Sequence, residues 1–384
     1  MQTEAMQRHL SGTAGLLGLF CCMAATVFAV SSPCPCQNVS WCEPVTNMPK
    51  YEVFVFSTSN LNWKLYDWNK VTTVVQCGYT DPDLMCYAHS KGARVVQLVN
   101  FPVGNLTNST ARSIWIAKQV TMIQDNHLDG INIDFESAIP RTNTSARAGL
   151  TALVREAVTA VKKFVKGGQV TYDVAWSPDC IDQRCFNYTE IAQATDFVFV
   201  MSYDERSQIK GPCIAWANSA MNNTISGIKK FIALGIPVNK MVLGVPWYGY
   251  DYPCLTLSKD NVCTLNKVPF RGVNCSDAAG KEINYSYIQG TLLKISTSGR
   301  QWCSEAGSPY FNYKDAKYKQ MHQVWYDDPK SLMYKYQLVQ KMGLRGVGMW
   351  QADALNYTMT PEGEKERKEM WGAIPCPSAH LLLT

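Results

Sequence analysis

The sequence has little of what marks proteins that bind nucleic acids, metals or nucleotides. Charged residues make up only 17% of the 384 residues, and no run of Lys and Arg is long enough for a nucleic-acid footprint. The five His are not spaced as metal ligands, no CxxC pair occurs, and no glycine-rich phosphate loop is present. We therefore expect no metal, no cofactor and no nucleic-acid partner.

Long hydrophobic runs are also missing after residue 30. Before it, Arg8 and His9 precede an uncharged run, 15–30, which ends at the small residues Ser31 and Ser32. This layout predicts a signal peptide over 1–31 and a single mature domain over 32–384 that has no membrane contact after cleavage. An uncleaved anchor stays open as an alternative, because the run approaches spanning length.

Two features agree with export. Removal of the signal leaves thirteen scattered cysteines, which favours disulfides formed in an oxidising compartment and, since the count is odd, at least one free thiol. Cys180 with Cys185 and Cys254 with Cys263 are plausible bridges. Nine Asn-x-Ser/Thr sequons are glycosylation candidates: Asn38, Asn105, Asn108, Asn143, Asn187, Asn222, Asn274, Asn284 and Asn356.

The most informative segment is the octapeptide 129–136, DGINIDFE. In a strand, alternate side chains share one face, so Asn132, Asp134 and Glu136 would lie opposite Ile131, Ile133 and Phe135. Buried acids are costly unless they are paired or have a function. Two neighbouring carboxyls push their pKa values apart, which leaves one ionised and the other able to donate a proton. A solvated edge strand or a calcium-binding stretch is the alternative.

Strand-like and helix-like segments alternate along the chain. Most of the strands are apolar on both faces, as in a closed parallel sheet covered by helices, and eight units predict an α/β protein with a (β/α)8 TIM barrel. The segment 252–324 breaks the rhythm and predicts a small α+β insertion between strands seven and eight. Strands are predicted at 52–56, 72–76, 94–99, 130–135, 169–175, 196–203, 241–247 and 346–350, and helices at 113–125, 146–164 and 225–234.

Four motifs carry a family resemblance. DGINIDFE follows a D-x-x-D-x-D-x-E pattern at every position but Asn132, Val200–Asp204 contains M-x-Y-D, Gly244–Gly249 reads G-x-P-x-Y-G, and Trp350 ends the eighth strand. In these motifs the chain resembles the family 18 glycoside hydrolases, the chitinase-like barrels, over about residues 50–372. It departs from their pattern in two places. Asn132 stands where the family usually has an Asp, and the third strand, ARVVQLVNFP, lacks S-x-G-G.

The resemblance implies retaining catalysis in which the substrate's own acetamido oxygen is the nucleophile. Glu136 is then the proton donor, Asp134 accepts the acetamido N–H, and Tyr203 aligns the acetamido carbonyl. Asn132 is expected to hydrogen-bond Asp134 without adding charge, so that Asp134 ionises more readily than in chitinases. The residues expected to bind substrate are Asn132, Asp204, Trp350 and Trp247.

Further segments, such as VPWYGYDY and HQVWYD, resemble a lysosomal branch of the family that degrades the core of Asn-linked glycans. The resemblance implies a monomer that acts on oligosaccharides containing N-acetylglucosamine (GlcNAc). It would cleave the β1-4 bond of the N,N'-diacetylchitobiose core and release the reducing-end GlcNAc. A secreted endo-chitinase and a non-catalytic chitin-binding lectin are the alternatives, and the presence of Glu136 argues against the lectin.

Overall fold

The computed structural model describes residues 33–375, so the signal segment predicted over 1–31 and Cys376 lie outside the described residues. No helix within this range is long and apolar enough to cross a bilayer. The strands are β1 Glu52–Ser57, β2 Thr73–Gln76, β3 Arg94–Val99, β4 Gly130–Ile133, β5 Gln169–Ala175, β6 Phe197–Met201, β7 Met241–Pro246, β8 Tyr248–Pro253, β9 Thr256–Leu257, β10 Cys263–Thr264, β11 Lys281–Asn284, β12 Gln301–Cys303, β13 Ser308–Lys314, β14 Met321–Trp325 and β15 Gly346–Trp350. The helices are α1 Pro82–Ser90, α2 Ser109–Asp125, α3 Thr144–Phe164, α4 Tyr188–Ala194, α5 Met221–Ala233, α6 Tyr285–Tyr287, α7 Pro329–Met342 and α8 Pro361–Ala373.

Eight parallel strands close into a barrel. Going round the barrel, β1 to β7 are neighbours in chain order, and β15 joins β7 to β1. An α-helix lies between each two successive barrel strands except β1 and β2, which are joined by a loop with one 3-10 turn, Trp63–Leu65. Crossover connections of this kind are right-handed in parallel sheets. The predicted (β/α)8 barrel is confirmed, and its carboxyl-terminal strand ends gather at one mouth.

Aromatic side chains fill the barrel interior. Phe54 and Phe56 of β1 meet Phe197 and Phe199 of β6 with ring centroids 5.3 and 4.9 Å apart. Gly244 of β7 makes room for them, because a Cβ there would lie 2.3 Å from the Phe199 ring. The packed interior is a solid floor beneath the mouth of the barrel.

The predicted insertion follows β7 directly. It forms a five-stranded sheet in the order β11-β8-β14-β13-β12 and a two-stranded sheet of β9 and β10. Its main sheet starts at Tyr248 and ends at Trp325, so the element is slightly longer than the sequence pattern predicts. The insertion therefore stands at the carboxyl end of β7, beside the barrel mouth.

Several element ends differ from the sequence prediction for local reasons. Helix α2 begins at Ser109 because the Asn108 side chain accepts a hydrogen bond from the Ala111 N–H. In the same way, Asn143 caps α3. Strand β4 ends at Ile133, so Asp134 and Glu136 follow the strand, where loops of a parallel barrel carry functional groups.

Five disulfides join described cysteines, and Cys77 and Cys303 remain as free thiols in this part of the chain. The predicted bridges Cys180–Cys185 and Cys254–Cys263 are confirmed. The remaining three are Cys34–Cys42, Cys36–Cys86 and Cys213–Cys275. This density is typical of proteins that fold in an oxidising compartment.

Candidate active site

The octapeptide carries its polar side chains into the mouth of the barrel. Phe135 is fully buried on the outer face, whereas Asp134 is half-buried and Glu136 is exposed. The alternation predicted from the sequence therefore continues past the end of β4. Asp134 lies deeper than Glu136, so the two acids are not equivalent.

A cavity of about 230 Å³ opens at this mouth. It contains five of the seven side chains that the sequence singled out, and it omits Asn132 and Trp247. The lining residues are Phe56, Asp134, Glu136, Asp173, Arg184, Met201, Tyr203, Asp204 and Trp350. Residues from β1, β4, β5, β6 and β15 or their following loops thus converge on one small polar pocket.

The predicted hydrogen bond between Asn132 and Asp134 is wrong. The Asn132 Nδ2 donates to Asp173 Oδ2 at 2.7 Å, and its Oδ1 accepts from Thr171 Oγ1 at 2.6 Å. Both partners lie on β5, because the side chains of neighbouring parallel strands meet across the interior. Asn132 is fully buried behind the pocket and does not line it.

The charge state of Asp134 depends on its burial and on the charged groups around it. Burial raises the pKa of Asp134 to about 7, the negative charge of Glu136 adds to the rise, and the Arg184 guanidinium opposes it. Asn132 is neutral, but Asp134 still has another carboxyl beside it, because Asp173 supplies one. Burial, followed by the charge of Asp134, raises the pKa of Asp173 well above its usual range, against the hydrogen bond from Asn132.

Tyr203 and Asp204 follow β6, which lies two strands from β4 around the barrel. Burial, followed by the charge of Asp173, raises the pKa of the Tyr203 hydroxyl well above its usual value, so this group keeps its proton as a donor. Asp204 Oδ1 accepts hydrogen bonds from Tyr248 Oη at 2.6 Å and Tyr250 Oη at 3.1 Å. Both tyrosines belong to β8, so the insertion fixes this wall of the pocket.

The two candidate sugar-binding tryptophans lie in different places. Trp350 is half-buried, lines the pocket and meets Phe56 edge to face at 5.4 Å. Trp247 is fully buried outside the barrel, where its ring packs against Trp371 of α8 at 5.0 Å. The predicted place of Trp247 in the substrate site is therefore wrong, since this ring belongs to the core.

Two residues of the pocket, Arg184 and Asp173, were not predicted from the sequence. Arg184 follows β5 in the loop closed by the Cys180–Cys185 bridge, and its guanidinium pairs with Glu136 and, at 3.0 Å, with Asp182. The short loop gives no sequence signal for such a contact. Asp173 does have a signal, because Thr171 and Asp173 form a polar alternation within β5, as Asn132 and Asp134 do in the octapeptide.

The nine candidate sequons differ in exposure. Asn187 and Asn356 are half-buried, and Asn187 Nδ2 donates to Thr151 Oγ1 at 3.3 Å. Glycosylation of the sequons stays a prediction, and access favours the seven asparagines that are exposed. These are Asn38, Asn105, Asn108, Asn143, Asn222, Asn274 and Asn284.

Comparison with known proteins agrees with this geometry. The family model "Glycosyl hydrolases family 18" matches residues 100–354. Di-N-acetylchitobiase of Mus musculus is 49% identical over 341 residues, which cover 89% of this chain and 92% of the mouse protein. Di-N-acetylchitobiase of Homo sapiens is 46% identical over 346 residues, 90% of this chain and 89% of the human protein.

A solved structure gives the same architecture. The family 18 N-acetylglucosaminidase of Paenibacillus barengoltzii superposes with a TM-score of 0.67 at 17% identity, over 84% of this chain and all of that chain. At this identity the likeness concerns the fold alone. The family match identifies this parallel barrel, with its carboxylate pocket and a tryptophan at the mouth, as a glycoside hydrolase. The chain belongs to glycosyl hydrolase family 18, which confirms the resemblance seen in its motifs.

Proposed function

We propose that this enzyme hydrolyses the β1-4 bond of N,N'-diacetylchitobiose in the core of Asn-linked oligosaccharides and releases the reducing-end GlcNAc. The observation that carries the proposal is the pocket in which buried Asp134 stands behind exposed Glu136. The names of the mouse and human relatives support this choice of substrate. The pocket volume of about 230 Å³ suits one sugar ring better than a long polymer.

The first chemical step that we propose is an internal displacement. The acetamido oxygen of the bound sugar forms a bond to its own anomeric carbon while the bond from that carbon to the leaving oxygen breaks. Glu136 gives its proton to that oxygen, a transfer worth about 10² to 10⁴ in rate. Asp134 accepts the acetamido N–H and faces the positive charge of the oxazolinium ring, and Tyr203 donates to the acetamido oxygen.

The second step returns the proton. Water attacks the anomeric carbon, its proton passes to Glu136, and the oxazolinium ring opens with retention of configuration. The Arg184 guanidinium lies against Glu136 Oε2, where it balances the negative charge that Glu136 carries between the two steps. Trp350 offers an apolar ring face to the sugar, and Asp204 borders the same space.

A reducing-end-labelled chitotriose tests the function. We expect labelled GlcNAc as the first labelled product. Labelled disaccharide as the first product would overturn the proposal in favour of an endo-chitinase. Binding of the trisaccharide without any cleavage would indicate a lectin.

We also propose that the enzyme is a monomer and acts in the lysosome. The five disulfides and the exposed sequons support passage through the secretory pathway. Density-gradient fractionation of expressing cells tests the location, and light scattering tests the mass in solution. Enzyme found only in the culture medium would contradict the lysosomal proposal, and a dimer mass would contradict the monomer.

A further inference from the structure

Asp173 lies beside Asp134, on the neighbouring strand of the barrel. The register of β4 and β5 pairs Asn132 with Thr171 and Ile133 with Tyr172, so the next positions in register are Asp134 and Asp173. Neighbouring strands lie about 4.8 Å apart, and side chains at paired positions point to the same face. Both carboxyls also line the same pocket.

The hydrogen bonds of this pair are incomplete. Asp173 Oδ2 accepts the hydrogen bond from Asn132, but Asp173 Oδ1 and Asp134 Oδ1 are buried and have no partner among the described residues. An unpaired buried polar atom costs about 1–3 kcal/mol. One proton shared between the two carboxyls gives a partner to an oxygen of each, because the protonated oxygen donates and the other accepts.

The surrounding charges favour keeping that proton. Glu136 is a further acid of the same pocket, and its negative charge adds to the rise in the pKa of Asp173. Burial and, in part, the charge of Asp173 raise the pKa values of Tyr203, Tyr172 and Cys77, so these groups stay neutral. Arg184 is the cation of the pocket lining, and it already pairs with Glu136 and Asp182. A second negative charge on the pair has no counterion of its own.

We propose that Asp173 is a positioning residue whose protonated carboxyl donates a hydrogen bond to Asp134 and holds it towards the substrate's acetamido group. This inference rests on the proposed function for its catalytic meaning. Asn132 supports the arrangement, because its Nδ2 can only donate and so leaves Asp173 Oδ1 to carry the proton. The carboxyl that the family motif has at position 132 is thus supplied from the neighbouring strand.

Two substitutions at one position separate a protonated role from a charged one. Asp173→Asn keeps a donor at the same place, so we expect kcat within about threefold of wild type. Asp173→Ala removes the donor, and we expect kcat to fall at least about tenfold with KM little changed. A tenfold loss in Asp173→Asn would overturn the proposal, because it would mean that Asp173 acts as an anion. Wild-type kcat in Asp173→Ala would overturn it as well.

A rescue variant distinguishes positioning from simple packing. In Asn132→Asp/Asp173→Ala the carboxyl returns to β4, and we expect it to recover most of the kcat that Asp173→Ala loses. A packing defect at 173 is not repaired by an isosteric change at 132, so absence of rescue would count against the proposal. If Asp173→Ala does not fold, the Asp173→Asn comparison still decides.

Infrared spectroscopy detects the proton on the Asp173 carboxyl independently of catalysis. At about pH 6 we expect the wild-type minus Asp173→Asn difference spectrum to contain the C=O stretch of a protonated carboxylic acid. The exposed Asp260 is the matched control, since Asp260→Asn should remove only a carboxylate band. A carboxylate band for Asp173 would overturn the inference. Loss of the labelled GlcNAc product in wild type would overturn the proposed function instead, and the infrared result would still stand.

Discussion

The acids at the two ends of strand β4 differ in their hydrogen bonding. At the amino end, Asp129 Oδ1 accepts the Val45 N–H at 2.7 Å, and its Oδ2 accepts from the Val95 N–H at 2.7 Å and from His89 Nε2 at 2.9 Å. At the carboxyl end, Asp134 Oδ1 has no partner among the described residues. Both acids belong to one octapeptide, so their different environments come from the strand's neighbours.

This difference shows which buried acid stabilises the fold and which one destabilises it. A buried acid with every oxygen bonded ties distant segments together, and here Asp129 fixes the amino-terminal lead-in to the barrel. A buried acid with an unpaired oxygen costs free energy and is retained where a substrate or a proton supplies the missing partner. The amino end of the barrel thus serves stability, and the carboxyl end serves the reaction.

The largest effect that we expect comes from the carboxyl end. Glu136→Gln removes the proposed proton donor, so kcat should fall by about 10² to 10⁴. Its side chain is half exposed and its loss leaves the core intact, so the melting temperature should change little. Release of labelled GlcNAc measures kcat, and differential scanning calorimetry measures the melting temperature. A rate within tenfold of wild type would remove Glu136 from this role.

The amino end should show the reverse pattern. Asp129→Asn breaks a buried charge pair, which costs about 3–5 kcal/mol of unfolding free energy. The kcat of the remaining folded enzyme should stay at the wild-type level, since Asp129 does not line the pocket. Urea unfolding followed by assay of the folded fraction measures both. A loss of kcat without loss of stability would erase the contrast between the two ends.

Trp350 and Trp247 should show the same contrast between activity and stability, with smaller effects. Trp350→Ala should lower kcat/KM by roughly tenfold or more, equal to about 1.4 kcal/mol, because it removes the apolar wall of the pocket. Trp247→Phe should cost about 1–2 kcal/mol of stability and leave kcat/KM unchanged, as for a core substitution. Paired kinetics and thermal unfolding distinguish them. An equal loss of kcat/KM in both variants would contradict the positions described above.

The smallest effect that we expect is a pH dependence at the amino end. Burial lowers the pKa of His89, but its hydrogen bond and charge interaction with Asp129 outweigh burial, and the net pKa is raised above about 6.5. The folded state therefore binds this proton more tightly than the unfolded state. The stabilisation is complete below about pH 6.5 and is lost as pH rises through the raised value.

His89→Gln should therefore lower the melting temperature more at pH 5 than at pH 9. Both ring nitrogens of His89 face acceptors, since Nδ1 lies 2.6 Å from the Trp41 carbonyl oxygen, which agrees with a protonated ring. Calorimetry of both proteins at the two pH values measures the difference. A difference that does not vary with pH would mean that His89 stabilises by packing alone.

Most of the barrel could be predicted from the sequence, because its signals are local. Apolar runs of strand length separated by helical spacing gave the order of the eight units, and the break after β7 gave the insertion. The ends of elements were less certain, as with Asn108 and Asn143, whose side chains start α2 and α3 earlier than the apolar pattern does. Capping depends on one side chain and leaves little trace in periodicity.

The error in the place of Trp247 has a physical origin. A strand buried on both faces has apolar residues in both alternations, so the sequence does not say which alternation points inward. On β7, Gly244 points inward and Val245 outward, and Trp247 therefore joins the outer core. On β15, Gly348 and Trp350 share the inward alternation, and the ring reaches the pocket.

By itself, the sequence determined the family, the barrel, the insertion and the acids of the octapeptide, since all of these follow from local pattern and spacing. Only the tertiary structure decided the partners of those acids. Closure of the barrel sets β5 beside β4, so that Asn132 bonds Asp173 and Arg184 meets Glu136. Register and loop closure act between residues far apart in the chain, and hydrogen bonds and charge pairing are short-ranged, so their outcome appears only when the barrel is closed.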